Sequence, residues 1–430
     1  MKRRQFAGSI GASTLLGAFG TLGLVSGCAI SATGKGPKVV VVGGGFGGAT
    51  AAKYVRMWSD YGIQVSLVEP NAVFVSCPIS NLVIGGVKTM ADITSPYDGL
   101  VKQHGVNVVR DMVMAIDSDK RVVKLAGGTE LPYDRLILSP GVDFMWDTLP
   151  GMGAAQAKDQ VLHAWKAGAQ TVALRKQIEA MPDGGVFAIS IPLAPYRCPP
   201  GPYERACQVA NYFSKTKPRS KVLILDANDD VTSKPVLFKK AWEERYKGIV
   251  EYRPKHTLTD VDAATNTLKF EFNDDLKADV LNVIPPMRAG NIAVSTGLAT
   301  ANKRWCEVDF LTFEAKAAQH IHVLGDAIQT APGMPKSGHM ANQHGKTCAA
   351  AVVALLTGKT PNGAPIYNNT CYSFVSDEDV VHVASVHTYD PEKKTMVTVA
   401  GSGGISRAAN ELEGRFAHAW ARGIWADTLS

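Results

Sequence analysis

The stretch that most constrains the fold is Lys38–Gly48, KVVVVGGGFGG, followed by the helix-prone ATAAKYVRMW. Consecutive valines running into glycines read as a strand, a tight turn and the start of a helix. That is the opening of a dinucleotide-binding βαβ unit. Gly43, Gly45 and Gly48 fit G-x-G-x-x-G. Gly43 permits the turn, Gly45 lets the backbone approach a pyrophosphate, and Gly48 lets the helix pack closely on the strand. The helix N-terminus then offers free N–H groups and the positive end of its dipole to phosphate. Gln64–Glu69, QVSLVE, reads as the second strand, and Glu69 lies 21 residues beyond Gly48. A ribose-binding carboxylate is expected about 20 residues on. The bland alternative is an ordinary glycine-rich turn, and the placement of that acid weighs against it.

A chain of 430 residues suffices for two or three domains. Its 46% apolar and 20% charged content is that of a globular protein. Three of the cations behind the formal charge of +6 are Lys2, Arg3 and Arg4, in a leader without acids. The remainder is too mild, and too free of basic patches with aromatics, to imply nucleic acid. Arg3-Arg4-Gln5-Phe6 and the apolar Ile10–Val25 read as a twin-arginine export signal over residues 1–35, directing the chain to the periplasm. The alternative is a membrane anchor, which the glycine content and short length argue against. Val25-Ser26-Gly27-Cys28 also resembles a lipobox, which would make Cys28 a lipid anchor. No other stretch is apolar enough to span a bilayer, so no transmembrane span is expected in the mature chain.

Seven cysteines occur, at 28, 77, 198, 207, 306, 348 and 371. None forms C-x-x-C, which argues against zinc and thioredoxin-type chemistry, and no C-x-x-C-H offers a haem attachment. The ten histidines lack ligand spacing, so no metal is expected.

Beyond Glu69, Cys77 lies in the loop Pro70–Asn81, which runs back along the cofactor. Asp92–His104 is expected to be helical. Val106–Val113 with Arg121–Leu125 is expected to form a small β-excursion. Tyr133–Gly141, YDRLILSPG, returns as a strand and turn. A helix is expected over Val161–Met181, then a buried strand at Gly185–Ile191. A second glycine fingerprint should follow if this half bound a nicotinamide nucleotide. Instead comes PLAPYRCPPGP, Pro192–Pro202, whose five prolines leave few N–H groups for a pyrophosphate. Lys221–Asp226 and Asp279–Pro286 read as further strands of this half. His320–Ala327, HIHVLGDA, is a second strong signal: a strand ending at Gly325-Asp326, with Asp326 placed to hydrogen-bond a ribityl chain. The helix from about His339 to Leu356 follows, then a linker at Pro361–Pro365. Paired strands over Val380–Thr398 and a helix at Glu411–Leu429 complete the chain.

With these residues in view the chain resembles the flavoprotein subunit of flavocytochrome c sulfide dehydrogenase, from about Pro37 to the C-terminus. The motifs are VVVVGGGFGGATAAKY, VSCPISN with VIGG, HAWKAG, RCPPGPYERA, NVIPPMRAG, HVLGDA, PKSGH and NTCYS. The wider family includes sulfide:quinone oxidoreductases and type II NADH dehydrogenases. The resemblance implies an α/β fold with two Rossmann-like nucleotide-binding domains, glutathione-reductase-like, plus a C-terminal α+β interface domain. Residues 36–149 and 287–358 would form the FAD-binding domain, 150–286 a second Rossmann-like domain whose NAD site is lost, and 359–430 the interface domain.

The resemblance also implies FAD contacts at Gly43, Gly45, Gly48, Glu69, Gly325 and Asp326, and a covalent flavin bond through Cys77. Pro78 departs from the aromatic that related sequences carry after that cysteine. Cys198 and Cys371 match a redox-active disulfide, and Glu204 an acid/base beside it. The implied reaction is oxidation of sulfide to sulfur or polysulfide, with electrons passed to a c-type cytochrome subunit. Read without the resemblance, Cys198 and Cys371 are 173 residues apart and cannot be paired. Likewise Glu204 reads equally as a carboxylate serving a helix dipole, and Cys77 as a small buried residue. Two other functions stand beside the first: a sulfide:quinone oxidoreductase, and a non-catalytic flavin electron-transfer subunit.

Overall fold

The computed structural model describes residues 36–430; the segment expected to be an export signal, with Cys28, lies outside the described residues. The valine run forms β1 (Lys38–Val42), the glycine turn leads into α1 (Phe46–Trp58), and β2 (Gln64–Val68) follows. Two more strands, β3 (Asn107–Val109) and β4 (Arg135–Leu138), come from the same segment. The strand Ile321–Val323 returns from far downstream to complete a parallel sheet. The sheet order is Ile321–Val323, β4, β1, β2, β3. Central parallel strands are buried on both faces, so they are apolar throughout rather than alternating. Val39, Val40, Val41 and Val42 all lie in the core accordingly.

The second sheet repeats the plan. It contains β5 (Val186–Ile191), β6 (Lys221–Asp226), β7 (Val250–Arg253) and β8 (Val280–Val283), all parallel, in the order β7-β6-β5-β8. The helix α2 (Gly201–Thr216) follows β5, and α3 (Pro235–Arg245) follows β6. An antiparallel pair, Val142–Phe144 with Met287–Ala289, marks both crossings between the halves.

The helix α4 (Gly338–Leu356) packs on α1. It leads into an antiparallel sheet of β9 (Ile366–Phe374), β10 (Val380–Asp390) and β11 (Thr395–Thr398). The last helix, α5 (Glu411–Leu429), closes back onto α1. There Asp427 accepts from Tyr54 Oη at 2.6 Å and Asn342 Nδ2 at 2.8 Å, and pairs with Lys346 at 2.7 Å.

Three sequence expectations are corrected. The helix expected over Val161–Met181 is instead Ala155–Gln160 and Ala169–Ala180, with an extended stretch between them. That stretch, LHAWKAG, gives its carbonyls to Arg205 and Asn282, and Gly168 (φ +157°) ends it. The helix expected over Asp92–His104 is a turn, a strand at Thr94–Pro96 paired with Val73–Val75, and a short helix at Asp98–Lys102. Pro96 cannot continue a helix and ends the strand. Asn107–Val109 joins the first sheet as its edge, while the β-excursion is a separate meander of Val113–Asp117, Val122–Leu125 and Glu130–Pro132. The strand β9, which carries Cys371, had no clear alternating pattern in the sequence.

Candidate active site

The turn after β1 is built as its glycines require. A Cβ at Gly43 (φ +96°) would stand 2.3 Å from the Ser139 carbonyl oxygen, and one at Gly48 only 1.9 Å from that of Gly43. A Cβ at Gly45 would meet nothing within 4 Å, because it faces a large cavity. Gly48 therefore acts in packing and does not line the cavity. Glu69, buried at the end of β2, accepts from Gly44 N at 2.7 Å and from the Asn71 amide at 2.6 Å.

The cavity is about 890 Å³ and runs from this turn past Cys77, Gly325 and Asp326 to Cys198, Glu204 and Cys371. Of the sequence-predicted site residues, all except Gly48 line it. The N-terminus of α4 opens on it through Ser337, Gly338 and His339. Cys77, Cys198 and Cys371 are partly exposed, whereas Cys207, Cys306 and Cys348 are buried. All six are thiols in this structure, Cys198 and Cys371 included.

Cys198 sits in the proline-rich loop between β5 and α2 at φ +58°, an uncommon conformation for a side-chain-bearing residue. Its N–H donates to the Lys336 carbonyl at 2.8 Å. Burial pushes its thiol pKa up, the neighbouring Cys371 and Glu204 push it further, and Arg197 opposes them. Cys371 arrives on β9, in the C-terminal sheet. Burial raises its pKa as well, opposed by Lys234 and by the Asn369 side chain.

Glu204 stands in the first turn of α2. Its carboxylate accepts from Phe374 N at 2.8 Å and from Asn81 Nδ2 at 2.8 Å, which ties α2 to both β9 and the cysteine loop. Burial raises its pKa despite these donors. Arg205 lies 2% exposed beneath it and donates to Asn81 Oδ1, Asn282 Oδ1 and the carbonyls of His163 and Ala164, with its guanidinium 4.9 Å from the Trp165 ring centre. Asn81 thus donates to Glu204 and accepts from Arg205, so its amide has one orientation. Burial works against the Arg197 charge, yet Cys77, Asp326 and Cys198 around it raise its pKa.

Sequence reasoning missed Asn81, Arg197, Arg205, Lys234 and Asn369. Four of them sat inside quoted motifs, beside cysteines or Glu204. Lys234 had no sequence signal at all.

The second half treats its own nucleotide position differently. Asp226, at the end of β6, is fully buried and accepts from Tyr203 Oη at 2.7 Å, Asn228 Nδ2 at 2.7 Å and Tyr252 Oη at 3.2 Å. Tyr203 from α2 thus occupies this carboxylate.

Among known families, residues 171–285 match "Sulfide dehydrogenase [flavocytochrome c] flavoprotein chain, central". Residues 363–429 match "Flavocytochrome c sulphide dehydrogenase, flavin-binding", and 37–180 match "Pyridine nucleotide-disulphide oxidoreductase". The sulfide dehydrogenase [flavocytochrome c] flavoprotein chain of Chlorobaculum thiosulfatiphilum is 63% identical over 46 residues, 94% of that sequence and 11% of this chain. This chain belongs to the sulfide dehydrogenase and sulfide:quinone oxidoreductase flavoproteins. Within that superfamily, the mitochondrial sulfide:quinone oxidoreductase of Dictyostelium discoideum is 25% identical over 67% of this chain and 65% of its own length. The chain therefore spans just under two thirds of that relative. A solved sulfide:quinone oxidoreductase from Aquifex aeolicus shares the fold, with TM-score 0.71 and 17% identity over 91% of both chains.

FAD is the cofactor of these flavoproteins, and the residues present fit it. The open space before Gly45 suits a pyrophosphate, and Glu69 is placed for ribose hydroxyls. Asp326 lines the cavity, and its buried Oδ1 has no protein partner, which fits an acceptor for a cofactor hydroxyl. Among the described residues no cluster of His, Cys, Asp and Glu is placed to hold a metal ion, and no helix is long and apolar enough to cross a membrane.

Proposed function

We propose that the chain oxidises sulfide to sulfur or polysulfide in the periplasm through Cys198 and Cys371, and delivers the electrons to a c-type cytochrome subunit. The observation that carries this reading is the convergence of two cysteines, 173 residues apart, one in the loop after β5 and one on β9, on the cavity that opens on the turn after β1. Oxidised, the pair is a disulfide. Hydrosulfide attacks one of its sulfurs: a new S–S bond forms, the Cys–Cys bond breaks, and its electron pair stays on the other cysteine as thiolate. A second hydrosulfide takes the added sulfur away as disulfane and leaves a second thiolate. Disulfane and the cysteine persulfide are both acids, and Glu204, whose pKa is raised by burial, accepts the proton given up when the disulfane leaves as hydrodisulfide. Bound FAD supplies an acceptor that takes two electrons and can release them singly to a haem. Cys77 is the proposed covalent anchor of that FAD, with Arg197 beside it.

The filled position at Asp226 and the proline-rich loop after β5 argue against NADH as the donor. A sulfide:quinone oxidoreductase is the second reading, favoured by the relatives of that name. The charged Arg415, Arg422 and Asp427 along α5 give it little apolar face for a bilayer.

Sulfide-dependent flavin reduction followed by re-oxidation with cytochrome c or a soluble quinone, side by side, separates the readings. Cytochrome reduction abolished in Cys198→Ser and Cys371→Ser supports the proposal, preferential quinone reduction moves it to the second reading, and activity in both variants refutes it. Acid precipitation of the FAD-loaded protein tests the anchor: flavin stays with the wild-type chain and is lost from Cys77→Ser. Flavin in the wild-type supernatant would overturn the covalent bond.

A further inference from the structure

Outside the proposed reacting groups, a second polar cluster surrounds Cys371 and has no role in the account above. Alternation along β9 places Asn369, Cys371 and Ser373 on one face of the strand. Asn369 is 3% exposed, and its Nδ2 lies 3.4 Å from Cys371 Sγ. The direction of that amide is determined by Ser337, the N-cap of α4. Ser337 Oγ already accepts from Met340 N at 3.0 Å, so its own hydrogen goes to Asn369 Oδ1 at 2.7 Å. The Asn369 NH₂ group is left to donate to sulfur.

Lys234 approaches the same face from the other side. It is 3% exposed, sits in the left-handed conformation (φ +57°) at the start of α3, and donates to the Cys371 carbonyl at 3.0 Å and to Ser373 Oγ at 2.9 Å. Neither partner carries a charge. A buried ammonium with only neutral acceptors is costly, and a negative group on this face offsets that cost. We propose that Lys234 and Asn369 make Cys371 the sulfur of the pair that holds negative charge when the pair is open, with Ser337 fixing the Asn369 amide; this rests on the function proposed above.

The other groups around Cys371 agree with this assignment. His339, at the start of α4, accepts from Thr370 N at Nδ1 and is held neutral, its pKa pushed down to about 4 by burial. Glu204 on α2 opposes a thiolate at Cys371, but its carboxylate is turned to Phe374 N and Asn81. His382 on β10 and Glu413 on α5 bond to one another at 2.8 Å. Cys198, across the cavity, has no amide donor at its sulfur among its described partners; Arg197 is the charge that opposes its burial, and Lys234 acts on it less than on Cys371. Lys234 is itself held to a pKa of about 8 by burial, against the pull of Cys371 and Glu204, so it remains charged at neutral pH.

The test is the pH profile of Cys371 alkylation by iodoacetamide in the FAD-loaded, thiol-reduced protein, read peptide by peptide by mass spectrometry. Only the thiolate reacts, so the midpoint reports its pKa, and each unit of upward shift slows alkylation about tenfold below the midpoint. Lys234→Met and Asn369→Leu, which removes the donor without adding a charge, are expected to move the midpoint up by one unit or more. Lys234→Arg is expected to restore it. An unchanged Cys371 midpoint in folded Asn369→Leu and Lys234→Met overturns the inference. Sulfide oxidation that survives in Cys371→Ser overturns the underlying function instead, which separates the two failures.

Discussion

Gly45 and Gly48 belong to one motif and do different work. At Gly48 an added methyl would collide with the Gly43 backbone, which neither the strand nor the helix can move. At Gly45 (φ −72°) it would point into open space. Gly48→Ala is therefore expected to lower the stability of the cofactor-free protein by about 1–3 kcal/mol or more, the usual cost of overpacking. Gly45→Ala should leave that stability within about 0.5 kcal/mol but reduce the FAD retained on purification. Thermal denaturation of apoprotein and flavin content per chain check both; equal losses of stability would contradict the geometry.

Glu204 permits a prediction with a sign. Burial raises its pKa, so as pH falls it takes up its proton earlier than an ordinary carboxylate near 4.3. As a base it is lost on that side, and the rate per hydrosulfide should show an acid limb displaced upward from that value. Glu204→Gln should remove the limb and lower the rate about a hundredfold or more, the range for loss of general acid–base catalysis. An acid limb that persists unchanged in the variant would assign it to another group.

Among the elements, the helix α2 serves two places at once. Its first turn carries Glu204 and Arg205 toward the cavity, and Tyr203 in the opposite direction into the Asp226 position. Tyr203→Phe removes a donor from a buried carboxylate and is expected to cost about 1–3 kcal/mol in urea denaturation. The ring still fills the position, so NADH should fail to bleach the flavin in wild type and variant alike.

The part of this arrangement legible in the sequence was local. Valines running into Gly43–Gly48, the HVLGDA strand end and the proline-replaced fingerprint are each written in fewer than a dozen consecutive residues. The loop 161–168 was illegible because its carbonyls are held by Arg205 and Asn282, contacts that helix propensity does not contain. Lys234 was illegible for the same reason. Nothing around it in sequence marks it, and its place beside Cys371 exists only once α3 and β9 meet.

At the scale of the whole molecule, the buried histidines set how the fold meets acid. His322 and His344 are at most 1% exposed, and burial pushes their pKa values down to about 4 and about 3. His322 bonds the Thr312 carbonyl through Nδ1, and its Nε2 has no partner. His344 has no partner at either nitrogen and packs against Phe313 and Tyr367. Protonating either would bury an uncompensated charge. The unfolded chain protonates histidine near 6.5, so below that pH it binds more protons than the fold, and stability falls with pH from about 6.5 toward 4. Each such histidine contributes about 1.4 kcal/mol per pH unit in that window. Lys336, whose pKa burial lowers to about 7, is charged there and adds its repulsion at His344. Glu204, Asp226 and Asp326 act in the opposite sense, because burial raises their pKa values and the fold then holds their protons more tightly than the unfolded chain. A difference measurement cancels them. Urea denaturation of His344→Leu and wild type at pH 6 and pH 4 should give a wild-type slope steeper by about 1.4 kcal/mol per unit. Parallel slopes would mean that His344 protonates in the folded protein at little cost, with water or a shifted side chain reaching its ring.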